Sequence, residues 1–238
     1  MTGRVWNAVR LFLLAQWRGR FPHVYLAVAL LTVLTFRLAI PEQYAESLVP
    51  AFLLAEPGTL ALTLVAAQAF LERGDRSVTA LSVTPLRSGE YVFAMVLASA
   101  LVATLAGLLI QGGVLGVDLR LVLLLPPLLL TATLAGFLGL GLSARFSEFT
   151  RFLVGGLMPV MVVIQLPTLS YFELAPRLAF AWIPSDAALY GLANLARPDP
   201  DPLRYALYTG LLLGYNALAF RWARRSFQER VRERLEQA

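Results

Sequence analysis

The chain has 238 residues, 58% of them hydrophobic and only 15% charged, with a formal net charge of +5. A soluble domain is about half apolar with about a quarter of its residues charged, so this composition predicts a polytopic membrane protein with a single membrane domain. There is no cysteine, one histidine (His23), and all twenty basic residues are arginine; this excludes disulfides, His- or Cys-based metal clusters, and the lysine-dependent phosphate loop G-x-x-x-x-G-K-[ST].

In chain order, residues 1–21 read as an amphipathic helix lying in the membrane interface. Val5, Trp6, Val9, Phe12, Leu13 and Trp17 share one face, with Arg4, Asn7, Arg10 and Arg18 opposite; Leu11, Leu14 and Gln16 break the pattern. Six segments then match the roughly 20 apolar residues that a helix needs to cross the hydrocarbon core. They are 24–40, 47–71, 91–110, 121–142, 152–169 and 203–220. The first lies behind twenty residues of its own without a small-x-small cleavage site after it, so it reads as a span rather than a signal peptide. Residues 72–90 form a charged loop. Residues 170–202, broken by Pro184, read as a re-entrant or outer-leaflet helical segment. The tail 221–238 is basic and helical in pattern, with Phe227, Val231 and Leu235 at i, i+4 spacing. The fold class is therefore all-α.

Arginine asymmetry orients the bundle. With six spans both termini share a side, which collects fifteen arginines against five on the other. The side rich in basic residues is cytoplasmic, so both termini are expected inside, in the inner (plasma) membrane of a prokaryote. This flanking distribution also accounts for the net charge without nucleic acid; membrane lipid is the expected partner of the basic tail.

Inside the spans, Glu56-Pro57 stands out. A carboxylate at that depth is costly and marks a functional candidate; alternatively, Pro57 kinks or starts a helix and Glu56 sits near its positive end. Gln68, Gln111 and Gln165 suit hydrogen bonding between helices. Glu56, Pro57, Gln68 and Gln165 are the conduit candidates. Gly155, Gly156, Pro159 and Pro167 predict a kinked fifth span. Small residues recur every four positions at Ala51 to Ala67, Ser99 to Gly107, Ala135 to Ser143 and Ala206 to Gly214, allowing close helix contacts. No nucleophile-base pair, paired carboxylates or metal-spaced cluster is visible in the spans, so no catalysis and no cofactor are expected of this chain.

The loop 72–90 carries its own capping signals. Asp75 can cap a short helix that Thr84-Pro85 ends, and Ser88 can cap the next span with Glu90 in its first turn. A plain linker would be far shorter, so a docking element for a cytoplasmic partner is expected. Glu72-Arg73-Gly74, then "LSVTPL" and "EY" opening the third span, resemble the permease subunits of type-2 ABC exporters, in particular the small fluoroquinolone-export-like six-span permeases. Glu56-Pro57 and "IPSDAALYGL" before the last span extend the likeness over nearly the whole chain. "DRSVTAL" after Gly74 and Met95 after Tyr91 depart from the family's usual "G-T-L-x-A-L" and lysine. The resemblance implies a coupling helix in this loop, with ATPase contacts at Glu72, Arg73, Gly74, Asp75, Leu81, Thr84 and Pro85. It also implies a separate ABC ATPase subunit that holds the ATP, and a second permease copy or sister permease. The apolar spans suit a lipophilic drug-like or lipid-like cargo. Haem-exporter-like permeases, or a membrane-embedded enzyme or assembly factor without an ATPase, are the alternatives.

Overall fold

The computed structural model describes residues 2–74, 86–197 and 199–236, and all its regular elements are helical. Helix α1 covers Thr2–Arg18 and α2 covers Phe21–Ala39. Arg20 turns the chain between them with left-handed backbone (φ 59°), and Pro22 occupies the first turn of α2, where an N–H would have no intrahelical partner. Helix α3 covers Glu42–Gly74, α4 Ser88–Leu115 and α5 Leu119–Ser143. Helix α6 covers Phe149–Tyr171 in several pieces, α7 covers Pro184–Ala196 and α8 covers Pro202–Glu236.

Among the described residues, five helices are long and apolar enough to cross a membrane: α2, α3, α4, α5 and α6. The chain is thus a multi-pass membrane protein. The expected sixth span, 203–220, lies within α8, where Arg204, Tyr205, Tyr208, Tyr215 and Asn216 dilute the apolar run. Helix α8 nevertheless runs parallel to α5 along its length. The Tyr205 hydroxyl donates to the Leu123 carbonyl (3.2 Å), Asn216 Nδ2 donates to the Leu130 carbonyl (2.9 Å), and the Phe220 and Phe137 rings meet at 5.5 Å.

Helices α3, α4 and α5 pack around one another and form the centre. Their apolar side chains are buried from both directions, and small residues set the spacing. A Cβ on Gly139 would fall 2.3 Å from the Leu62 carbonyl oxygen, so the α3 and α5 backbones touch there because residue 139 has no side chain. Of the small-residue stripes, Ser99, Ala103 and Gly107, and Ala135, Gly139 and Ser143, are buried inside the chain. Ala206, Gly210 and Gly214 are exposed, and nothing lies within 4 Å of where a Cβ would stand on either glycine.

Two local expectations change. Helix α3 continues unbroken through Pro50 and Pro57, so Glu56 lies in the middle of a helix and not at a helix start. The first turn of α4 is closed by Glu90, but from Arg87, whose N–H donates to Glu90 Oε2 (3.0 Å). Ser88 is already helical, and its hydroxyl accepts from Gln228 Nε2 (2.8 Å) instead.

The expected irregularity of the fifth span is present. Residues Leu153–Leu157 of α6 form a π-helical turn, closed by Met158 N–H to the Leu153 carbonyl. Pro159 follows directly and cannot donate into that turn, which favours the wider i→i+5 closure. The Phe146 ring lies against Gly155 and Gly156 in the space side chains would occupy.

Helix α7 is 13 residues long, about 20 Å at 1.5 Å per residue. That is too short to cross a hydrocarbon layer about 30 Å thick. It is buried along most of its length against α3, α5 and α8.

Candidate functional site

The predicted residues fall into three places. The first is the end of the bundle where α1, the close of α3, the start of α4 and the tail of α8 meet. Glu72, in the last turn of α3, accepts a short hydrogen bond from the Tyr91 hydroxyl of α4. Both ends of the segment between α3 and α4 are thereby tied to each other. The Tyr91 ring stacks on Phe227 of α8 (5.3 Å) and meets Phe12 of α1 edge-on (5.3 Å). Arg73 and Gly74 are the last residues of α3. Asp75, Leu81, Thr84 and Pro85 lie outside the described residues.

A buried polar chain runs inward from Glu72. Gln68 hydrogen-bonds Glu72 one helical turn away. Gln68 Oε1 accepts from Gln16 Nε2 (3.2 Å), which also donates to the Ser99 hydroxyl (2.9 Å). Gln16 is only 2% exposed. Sequence reading set it aside as a break in the amphipathic face of α1. In the structure it faces the bundle with Ala8 and Val9, whereas Trp6 and Trp17 are exposed. Helix α1 therefore docks onto α4 through a narrower face than the wheel predicts, leaving its tryptophans free to contact lipid headgroups. The signal was available: Gln16 stands at i+4 from Phe12 and i+7 from Val9.

The second place is midway along α3. The Thr32 hydroxyl of α2 donates to Glu56 Oε1 (2.5 Å), and Glu56 Oε2 is buried without a hydrogen-bond partner. Pro57 is buried beside Gly107 of α4, where a Cβ would stand 3.1 Å from Pro57 Cγ. Glu56 and Pro57 thus serve the α2–α3–α4 contact. They are separated from Gln68 by three helical turns.

The third place is a cavity of about 310 Å³ between α3, α5, α6 and α7, lined by residues such as Leu54, Gly58, Leu134, Val160, Ile164 and Ala188. Ser185 also lines it, and its buried hydroxyl has no hydrogen-bond partner among the described residues. None of the conduit candidates lines this cavity. Gln165 instead lines a shallower depression on α6 with Met161 and Leu169. The four conduit candidates are not brought together, and the apolar cavity was not foreseen: its residues look like any packed span until the pieces of α6 leave room.

Fold and site define a polytopic helical membrane protein with a buried polar chain at one end and an apolar cavity within. Two proteins of Mycobacterium tuberculosis, from strains CDC 1551 and H37Rv, each described as a fluoroquinolones export permease protein, are 25% identical to the chain over 188 residues. The alignment covers 78% of this chain and 78% of each relative. The chain is thus a distant homologue of a drug export permease, as its motifs led one to expect. No family model and no solved structure matches it.

Proposed function

We propose that this chain is the membrane-spanning permease subunit of an ABC exporter, which forms the conduit and couples to a separate cytoplasmic ATPase. The observation that carries the reading is its likeness to export permeases over 188 residues. The joined ends of the segment between α3 and α4 support it. A coupling element must pass motion into the membrane helices, and the Tyr91–Glu72 bond, continued through Gln68, Gln16 and Ser99, links that segment to α1, α3 and α4. In this reading α8 supplies the sixth span, both termini are cytoplasmic, and the membrane is the inner membrane of a prokaryote. Residues 72–90, with Glu72, Arg73, Gly74, Asp75, Leu81, Thr84 and Pro85, meet the ATPase. A second permease copy or sister permease completes the conduit. The apolar cavity suits a lipophilic drug-like or lipid-like cargo. The chain binds no cofactor and performs no chemistry; ATP is hydrolysed on the partner.

Thiol cross-linking tests the contact, because the chain has no cysteine of its own. A single Ser77→Cys or Ser82→Cys, paired with a cysteine in the ATPase, forms a disulfide if the Cα atoms approach within about 7 Å. Tyr91→Phe tests coupling. It removes the bond to Glu72 while leaving the ring stack on Phe227, so the complex assembles and hydrolyses ATP but loses cargo-stimulated hydrolysis and export together. Unchanged export in Tyr91→Phe, with no cross-link from either serine position, would remove the ATPase from the picture.

A further inference from the structure

The apolar cavity between α3, α5, α6 and α7 lies at the middle of the bundle. Gly58 is the central residue of α3, Thr131 that of α5 and Val160 that of α6, and all three line the cavity. Helix α6 is fixed on either side of it. At one end the Phe149 and Phe152 rings meet Phe70 of α3 at 5.5 and 5.7 Å. At the other end Tyr171 meets Tyr190 of α7 edge-on at 5.9 Å. Between these anchors come the π-helical turn at Leu153–Leu157 and Pro159, and there the cavity separates α6 from α3 and α5.

The far wall is buried and the rim on α6 is not. Leu54, Gly58, Leu134 and Ala188 are buried, whereas Pro159 and Val163 of α6 are exposed. This rim stands at mid-depth on a helix that crosses the bilayer, so the cavity opens sideways toward acyl chains and not toward water. Water has no place inside. A buried water takes about two to four hydrogen bonds, and Thr131 and Ser185 are the polar residues among those lining the cavity. The Thr131 hydroxyl is committed to the Pro127 carbonyl (2.7 Å), which leaves Ser185 alone. An empty void is unfavourable as well, because its walls lack contact partners. Apolar cavities of about 150 Å³ take up benzene, and this one measures about 310 Å³.

We infer that the cavity holds the terminal segment of one acyl chain of a bilayer phospholipid, as a resident ligand rather than as cargo. Chemistry and supply both favour this occupant. A drug-like molecule is oriented by a few convergent polar groups, which this lining lacks. Chain ends of both leaflets meet at mid-depth, where the rim is open, and the bilayer supplies them in excess, so mass action favours them. Cargo that enters this cavity displaces the chain. The cavity is the one the exporter reading assigns to cargo, but a resident chain needs no ATPase and no export, so the two ideas fail separately.

Gly58 supplies the test. Nothing lies within 4 Å of where its Cβ would stand, so Gly58→Leu extends a side chain into the cavity and fills it. The full chain is placed in nanodiscs of phosphatidylcholine that include a phosphatidylcholine with a diazirine near the end of one acyl chain. After photolysis, labelled residues are located by mass spectrometry. Leu54 and Leu134 are buried and line the cavity, so a lipid outside the bundle does not reach them. Label is expected at both, as well as at Val162 and Leu211, which are exposed. Gly58→Leu should lower the label at Leu54 and Leu134 several-fold and leave Val162 and Leu211 unchanged, with a thermal midpoint at or above that of the unsubstituted chain. Val160→Phe, from the opposite wall, should do the same, and decides the matter if Gly58→Leu does not fold. No label at Leu134 in the unsubstituted chain, or label there undiminished in a folded variant, overturns the inference. So does equal labelling of Leu134 by a phosphatidylcholine with its diazirine beside the headgroup, which would make the cavity a path for whole lipids in place of a site for a chain end.

Discussion

Asn216 shows how one polar residue joins two apolar helices. Its Nδ2 donates to the Leu130 and Leu212 carbonyls (2.9 and 2.8 Å), and its Oδ1 accepts from the Thr133 hydroxyl (2.8 Å). The bonds to Leu130 and Thr133 cross from α8 to α5, and in a bundle surrounded by lipid such bonds replace part of the hydrophobic drive that water would supply. Asn216→Ala should therefore lower stability by about 1 kcal/mol, within the range measured for interhelical hydrogen bonds. The thermal midpoint of the purified chain in detergent reads this, with Leu213→Ala on the exposed face of the same helix as a control. An equal loss in both variants would mean that Asn216 contributes packing alone. Sequence inspection passed over Asn216 because a lone amide in a tyrosine-rich run carries no spacing signal. Its partner carbonyl at Leu130 is exposed by no motif and is met only when α5 lies alongside.

At the scale of helices, small residues play different parts according to what stands opposite. Gly139 faces backbone, the Leu62 carbonyl, at a distance no Cβ can share. Gly210 faces open space. Gly139→Val should force α3 and α5 apart, an overpacking cost on the order of 3 kcal/mol, and cut the yield of folded chain. Gly210→Val should leave the folded yield of the isolated chain unchanged. Fluorescence-detected size exclusion of the two variants checks both. Equal yields would place the α3–α5 contact elsewhere. The same repeat of small residues appears in both helices, so periodicity alone could not separate them. Helix α6 makes the complementary point. Its glycines and prolines were legible as an irregularity, but the π-helical turn at Leu153–Leu157 and the Phe146 ring beside Gly155 and Gly156 are seen only in the structure.

For the whole molecule, the packing gathers α1 and the tail of α8 at one end, the end that the arginine count assigns to the cytoplasm. Phe12 of α1, Tyr91 at the start of α4 and Phe227 of α8 share a cluster, so the N-terminal helix, the close of α3, the start of α4 and the tail of α8 lie at one end. Helix α8 extends about 50 Å at 1.5 Å per residue, longer than the hydrocarbon layer, and its surplus carries Arg221, Arg224, Arg225 and Arg230 toward that end. With this end cytoplasmic, tags at both termini should be protected from protease in right-side-out vesicles and cleaved in inverted ones. A C-terminal tag cleaved from outside would reverse the placement of α8 and leave five crossings.

The sequence by itself determined the solvent. Apolar runs of bilayer length, with charges other than Glu56 gathered at or near their flanks, require a helical bundle in lipid, because backbone polar groups there must be satisfied within each helix. It also set residues 72–90 apart as one charged stretch between two apolar runs. Tertiary structure alone decided which polar groups meet. Gln16 reaches Gln68 and Ser99 across 52 and 83 residues of chain, and Arg177, Arg197 and Arg204 converge from two connections and a helix start. Such contacts depend on the rotation and depth of helices that are nearly uniform in composition. In lipid an apolar face can turn toward a neighbour or toward the acyl chains at similar cost, so only the close approaches at residues such as Gly139 and the pairing of buried polar groups select one arrangement.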